Sequence, residues 1–492
     1  MGASPQRTIT RSCFVLLVVA TLSPSSNAAA NIDRRPILPA RQIEADLRGG
    51  RPVLRTDARV TEKLVLSGLG TVGVSFRCRR CVFLKGIDAS DTVFERSVDL
   101  TDTHIRGPAI FRGATFQGPA IFAAPHAAGC SESIKGLFRN RADFSLAVFD
   151  DLASFDGTIF NDRATFDDAQ FRAHSDFSQV CFLRSASFRR ADFAGRTSFS
   201  QSQFKTAGYF DAASFAEGAT FLAGNFAGKP DVTAASFSGA SSAGDLNFTF
   251  ARFVMIIKQG AKLPPPDERA DVADFSYVAC SGSLFFGDAE FDTGYGIAMD
   301  HINVGSLVLD VPVVAQVDDD QDENNERKVL RVIETSAKDR GDLGVANDAY
   351  YRLRVLTSNH YGQPWRALDY VFYRGVAGYL VRPLRPLLVL LVMVVLFAVI
   401  RAFRAQRSED PERRSRGEPL RRFSAAAWTW SQNVLADVFD TLARVVPGRG
   451  NGGELSLGRR VETLAYRVLV VCSLLALANA NPTLREMVDS LF

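Results

Sequence analysis

The sequence predicts a mainly β chain: a solenoid of short strands, followed by an α-helical membrane region. Three observations carry this reading. Phenylalanine is heavily over-used, with 38 Phe against 10 Tyr and 3 Trp, as happens when one structural slot is filled repeatedly. These Phe recur every eleven residues along two interleaved ladders. Near the C-terminus, an apolar stretch of membrane length lies beside a dense run of arginine.

The chain has 492 residues, with 57 Lys plus Arg against 54 Asp plus Glu and a net charge of +3. Domains of the usual size would make it roughly two to four units. At 47% hydrophobic and 23% charged, it is neither disordered nor membrane-embedded throughout. Near-neutral charge removes the main electrostatic case for nucleic acid as a partner.

Residues 1–30 carry Arg7 and Arg11, the apolar run Cys13–Ala20, and small residues ending in Ala28-Ala29-Ala30. A basic start, a short apolar core and a small-residue cleavage site make a secretory signal peptide. The mature chain then begins near Asn31, outside the cytoplasm. Of the 7 cysteines, Cys13 falls in this signal and Cys472 in a late apolar segment. Cys78, Cys81, Cys130, Cys181 and Cys280 remain, an odd set that permits at most two disulfides, with the pairing open.

Residues 31–82 read as an N-terminal cap, with a short helix around Ala40–Leu47 and strand-like sequence over Pro52–Leu66. The repeat region follows, over 83–310. One ladder comprises Phe144, Phe155, Phe166, Phe177, Phe188, Phe199, Phe210 and Phe221. The other runs through Phe138, Phe149, Phe160, Phe171, Phe182, Phe193, Phe204, Phe215 and Phe226, and the eleven-residue step continues to Phe237 and Phe248. The ladders interleave at steps of five and six. A small residue stands two positions before most of these Phe, as at Ala164, Ala169, Ser175, Ala186, Ala191, Ser202 and Gly208. Steps of five and six hold no helical face, which needs three and four, and fit no flat strand of period two. They fit a coil with sides about five residues long and a corner after each side.

Units such as Ala164-Thr-Phe-Asp-Asp, Ala169-Gln-Phe-Arg-Ala and Ala191-Asp-Phe-Ala-Gly resemble those of bacterial pentapeptide-repeat proteins, with one extra residue after each pair of units. The resemblance covers roughly residues 83–253, with a weaker tail to about 310. It implies a right-handed, four-sided β-helix in which two eleven-residue units complete each turn. Each Phe would then stack on the one a turn below at the ~4.8 Å spacing of paired strands. Roughly eight turns and a rod of about 37 Å follow for residues 83–253. The segment Ala123–Gly136 reads as a loop in place of one repeat, and Leu263-Pro264-Pro265-Pro266 as an insertion.

Chemistry-bearing motifs are few. Gly68-Leu-Gly-Thr-Val-Gly73 matches a dinucleotide fingerprint in letters, but strand-like sequence follows where the motif needs a helix. Asp318, Asp320 and Asp322 imitate a calcium loop, yet Glu323 and Val329 stand where Gly and Glu are required. Cys78-Arg-Arg-Cys81 lacks the further ligands of a zinc site. The expectation is therefore no catalytic, cofactor-binding or metal residue, and no enzyme. Residues 83–253 hold 19 acidic and 16 basic side chains, too balanced for the DNA mimicry known among pentapeptide-repeat proteins.

An acidic linker spans 311–323 and a helical juxtamembrane region 324–383, with aromatic residues at 365–379 as at a membrane interface. Leu384–Phe403 is long enough to span, at 1.5 Å per residue, a ~30 Å hydrocarbon core. Eight Arg between 401 and 422 place the following segment, 404–460, in the cytoplasm. Residues 461–480 read as a second span. The functional expectation is a non-enzymatic β-solenoid held at the bacterial inner membrane, with its repeat domain on the periplasmic side, acting as a scaffold or interaction module for an unidentified protein. The alternative is a channel-like homo-oligomer with a soluble repeat domain, although no T-V-G-Y-G filter sequence is present.

Overall fold

The computed structural model describes residues 35–124, 130, 137–229, 232–257, 270–292, 295, 297–309, 323–363, 365–376, 379, 381, 388, 389 and 391–393. The signal peptide, nearly all of the acidic linker, most of Leu384–Phe403 and everything after it lie outside the described residues. Among the described residues no helix is long and apolar enough to cross a membrane.

From Val53 to Val308 the chain is a parallel β-solenoid of short strands, most of them two residues long. Four successive strands complete one turn. Val148–Phe149, Ala153–Ser154, Ile159–Phe160 and Ala164–Thr165 are followed by Gln170–Phe171, which returns to pair with the first. The four resulting ladders are named first to fourth in that order. In the first, Phe149 pairs with Phe171, Phe171 with Phe193 and Phe193 with Phe215, so each turn consumes two eleven-residue units.

The reason lies in the small–polar–Phe unit. In an extended stretch alternate side chains face the same way. The small residue and the Phe therefore both point inward, and the polar residue between them points out. Phe166 is sealed with Ala164 and Ala169, as are Phe193 and Ala191. The rings stack turn on turn: Phe171 and Phe193 are 4.7 Å apart and 5° from parallel, Phe166 and Phe188 4.8 Å and 2°. Across the interior they meet edge to face, as Phe166 does Phe177 at 5.3 Å and 88°. Both arrangements suit the ring quadrupole.

The alternation of five and six residues also has a backbone cause. Each five-residue step from Phe155 to Phe226 contains one left-handed residue, such as Gly157 (φ 66°), Asp168 (57°), Gln179 (57°), Arg190 (55°), Gln201 (58°) or Ala223 (52°). At Asp168 the turn is closed by the Ala169 amide donating to Phe166 O at 3.2 Å. A left-handed third residue lets the chain turn the corner within four residues.

Two features differ from the sequence reading and a third agrees with it. One strand ladder is ten strands long, so the coil has about ten turns, because it extends on both sides of residues 83–253, the span for which eight were expected. Parallel pairing already begins with Val53↔Phe76 and Leu64↔Ile87, inside the segment read as a cap; its continuation beyond the Pro-rich insertion agrees with the tail read to about 310. Aliphatic Val53, Val60, Leu64 and Val72 fill the inward slot there, so the Phe rhythm is silent. Second, the ladder through Phe226, Phe237 and Phe248 is continuous in sequence only. Phe237 stacks on Phe210 and Phe248 on Phe221, while Phe253 stacks on Phe226. A five-residue excursion, closed by the antiparallel pair Lys229 and Val232, displaces the register by nearly half the eleven-residue period. Third, and in agreement with the loop read over Ala123–Gly136, Thr115 pairs with Val148, three units on instead of two, so the pairing skips one eleven-residue unit.

Both ends are sealed by helices. Helix α1 (Ala40–Arg48) buries Ala40, Ile43 and Leu47, and Glu44 Oε1 accepts the Val65 amide at 3.0 Å. At the other end, α2 (Glu323–Asp339) buries Val329, Leu330 and Ile333 and packs beside α3 (Leu343–Ser358). Ser336 Oγ accepts the Leu307 amide at 2.9 Å, and Arg352 pairs with the buried Glu326 at 2.9 Å. Each helix thus covers apolar surface and satisfies an edge amide that would otherwise invite another chain.

Candidate functional site

The sixteen ladder residues Phe144, Phe149, Phe155, Phe160, Phe166, Phe171, Phe177, Phe182, Phe188, Phe193, Phe199, Phe204, Phe210, Phe215, Phe221 and Phe226 are all buried. They hold the rod and touch nothing outside it. Any recognition therefore belongs to the outward residues and to the four corners that join the ladders.

Three corners carry axial ion pairs or few charges. Between the fourth and first ladders, Arg190 holds Asp168 through two hydrogen bonds of 2.7 Å, and Arg189 meets Asp211 at 2.7 Å while stacking on Tyr209 at 4.2 Å. Between the first and second, Arg172 meets Asp150 at 2.9 Å and Arg196 meets Glu217 at 3.6 Å. Between the second and third, Arg80 reaches Asp57. The hydrogen bond from Arg190 holds the Asp168 carboxyl below its ordinary range, and that from Arg80 does the same for Asp57. Deeper in, burial opposes ionisation of Asp99, but hydrogen bonds from Arg79 and Thr101 outweigh it and its pKa falls.

The corner between the third and fourth ladders differs. Over six turns its segments, 84–86, 106–108, 139–141, 161–163, 183–185 and 205–207, bring Lys85, Arg106, Arg139, Arg141, Arg163, Arg184 and Lys205 into one column. Among the described residues none of these seven has an ion-pair partner. The Nε atoms of Arg106 and Arg139 are buried and meet no acceptor. Burial, and then the charge of Arg106, push the Arg139 guanidinium below its ordinary value. Nearby acids are turned elsewhere: Asp162 Oδ1 accepts the Arg163 amide, Asp143 Oδ1 the Ser145 amide, and Asp88 holds Lys63 and Ser90.

Two cavities flank the rod. Disulfide Cys130–Cys181 fixes Cys130 against the third ladder, where Ile159, Cys181 and Leu183 are buried. Beside this bridge a groove of about 370 Å³ is lined by Gln179, Gln201, Gln203, Asn225 and Arg252, among others. Among the described residues the buried Asn225 Oδ1 atom has no hydrogen-bond partner there. The second cavity, about 550 Å³, lies on the first ladder where Ser242 and Cys280 replace Phe above Phe215. The Cys280 thiol donates to Gly244 O at 3.2 Å, and burial pushes its pKa up, which keeps it protonated and unreactive.

The remaining sequence motifs fall into place on the coil. Gly68 and Gly70 turn the chain into the strand Thr71–Val72, not into a helix. Cys78 and Cys81 form a disulfide, and Cys280 is free. Asp318, Asp320 and Asp322 lie outside the described residues. Among the described residues no three His, Cys, Asp or Glu converge to hold a metal ion. Comparisons with protein-family models, curated proteins and solved structures return no match for this chain. The outer surface is the ground for a functional reading.

Proposed function

We propose that this chain is a non-enzymatic scaffold of the pentapeptide-repeat kind, a right-handed, four-sided rod tethered to a bacterial inner membrane with its solenoid on the periplasmic side. One observation carries the reading: rings stack without a gap through Phe94, Phe116, Phe149, Phe171, Phe193 and Phe215. A rod stiffened in this way holds outward residues at fixed intervals, which suits presentation to a partner rather than turnover of a substrate. The export signal, the arginine run after Leu384–Phe403 and the pairing of four of the five non-signal, non-span cysteines support the placement.

Topology is tested with a periplasm-only reporter fused after Asn359 and, separately, near Gly417. Activity at the first and silence at the second are expected; activity at Gly417 would overturn the tether. Crosslinking in native membranes, followed by mass spectrometry, tests the scaffold role. If no protein were captured through cysteines placed on any of the four sides, that role would be abandoned.

A further inference from the structure

We propose that the edge between the third and fourth ladders binds a linear anionic polysaccharide, one carboxylate per sugar, laid along the coil axis. This goes beyond the scaffold reading and does not depend on it.

Seven basic side chains, with Asp162 as the one acid among them, stand on six consecutive turns of one edge, in a rod whose other corners are balanced or sparsely charged. The repeat region as a whole is not basic, with 19 acidic against 16 basic side chains over 83–253, so the column is local. Like charges stacked on neighbouring turns repel and stabilise nothing within the fold. An added anion relieves them.

Geometry narrows the anion. Successive strands recur at ~4.8 Å, so the cationic groups form a ladder of about that interval. A single-stranded nucleic acid is held by aromatic platforms as well as charge, and no aromatic residue stands among the corner segments. A membrane surface calls for apolar anchors, and none of the exposed large apolar residues stands in these six corner segments; Ile256 and Ile257 lie on the same edge two turns further on. A chain of uronic acids carries one carboxylate per ring and so offers negative charge along its whole length, with hydroxyls between.

Such a polymer also carries hydroxyls, and the adjoining groove can receive them. Gln203 lines the groove on the strand Gln203–Phe204, and Lys205, the next residue along, belongs to the basic column, so groove and column adjoin. The unpartnered Asn225 Oδ1 is an acceptor for a hydroxyl donor. Amides for hydroxyls and guanidiniums for carboxylates are the pairing that an acidic sugar requires.

The test uses immobilised full-length protein with polygalacturonate as the probe, and dextran, poly-dT and anionic lipid vesicles as competitors. Polygalacturonate should be retained at low salt and released as salt rises, while dextran is not retained. The variant Arg141→Gln/Arg163→Gln/Arg184→Gln should lose affinity by at least roughly thirtyfold, whereas Arg172→Gln, from a paired corner, should bind as the parent does. Gln203→Ala should weaken polygalacturonate binding by a smaller factor and leave its salt dependence unchanged. These side chains are exposed or half-buried, so the triple variant should melt with the parent; if it does not, Arg163→Gln alone carries the comparison. Absence of retention, equal binding by the variant, or displacement by poly-dT or vesicles at matched charge would each overturn the assignment.

Discussion

Two corners of one coil, built from the same repeat, treat their charges in opposite ways. Between the fourth and first ladders, signs alternate from turn to turn: Asp168 under Arg190, Arg189 under Asp211. Between the third and fourth, basic residues follow one another from Lys85 to Lys205 with one acid, Asp162, among them. The interior beneath both corners is the same stack of phenylalanine, as Phe166 on Phe188 and Phe160 on Phe182 show. Burial and ring stacking therefore hold the fold at both, and the outer charge is left free to serve something else.

The largest effect should come from the interior common to both corners. Phe193→Ala should destabilise by about 3–5 kcal/mol, because turns above and below cannot collapse into the space of one ring. A thermal melt no worse than that of Arg190→Ala would show that the ion pairs, not the rings, hold the coil.

Backbone contact between turns comes next. A Cβ added at Gly195 would lie 2.5 Å from the carbonyl carbon of Ala173, on the turn below. Gly195→Ala should cost about 1–3 kcal/mol by forcing two turns apart. An unchanged denaturant midpoint would mean that the turns do not approach so closely at this corner.

Acid should separate the corners. Asp168 and Asp57 have folded pKa values below their unfolded ones, so their contribution is complete above the unfolded value. It is lost as pH falls through the folded value, in the region below about pH 4. Asp156 runs the other way: burial, then the charge of Asp176, raise its pKa, so its ionisation works against the fold and protonation relieves it. Melts from pH 5 to pH 2 should show a net loss in the parent and a smaller one in Asp168→Asn. Equal acid sensitivity in the two proteins would remove the paired corner as its source.

The smallest effects distinguish the corners directly. Arg190→Ala breaks an exposed two-hydrogen-bond pair and should lower the melting point slightly, since solvent screens such a pair. Arg163→Ala removes a charge with no partner and should be neutral within about 0.5 kcal/mol. A larger loss at Arg163 would reveal an intramolecular role for the basic column.

The amino acids alone specify the solenoid, the inward phenylalanines and the small residues beside them, since one slot repeated at fixed spacing leaves a legible period. Helices α1 and α2 are legible for the same kind of reason, because their apolar residues recur at helical spacing. Other features emerge only once the strands are paired. The turns before Phe83 were hidden because Val and Leu fill the same slot without a rhythm. The change of ladder after Phe226 was hidden because a five-residue excursion is nearly half of eleven, so the count continues while the face does not. The basic column was hidden because its charges occupy different positions of the corner segment: Arg106 and Lys205 the first, Lys85 and Arg184 the second, Arg141 and Arg163 the third, so no one position repeats them. Two units per turn were expected, but which outward charges become neighbours also depends on the unit that pairing skips before Val148, and only the paired strands set that register.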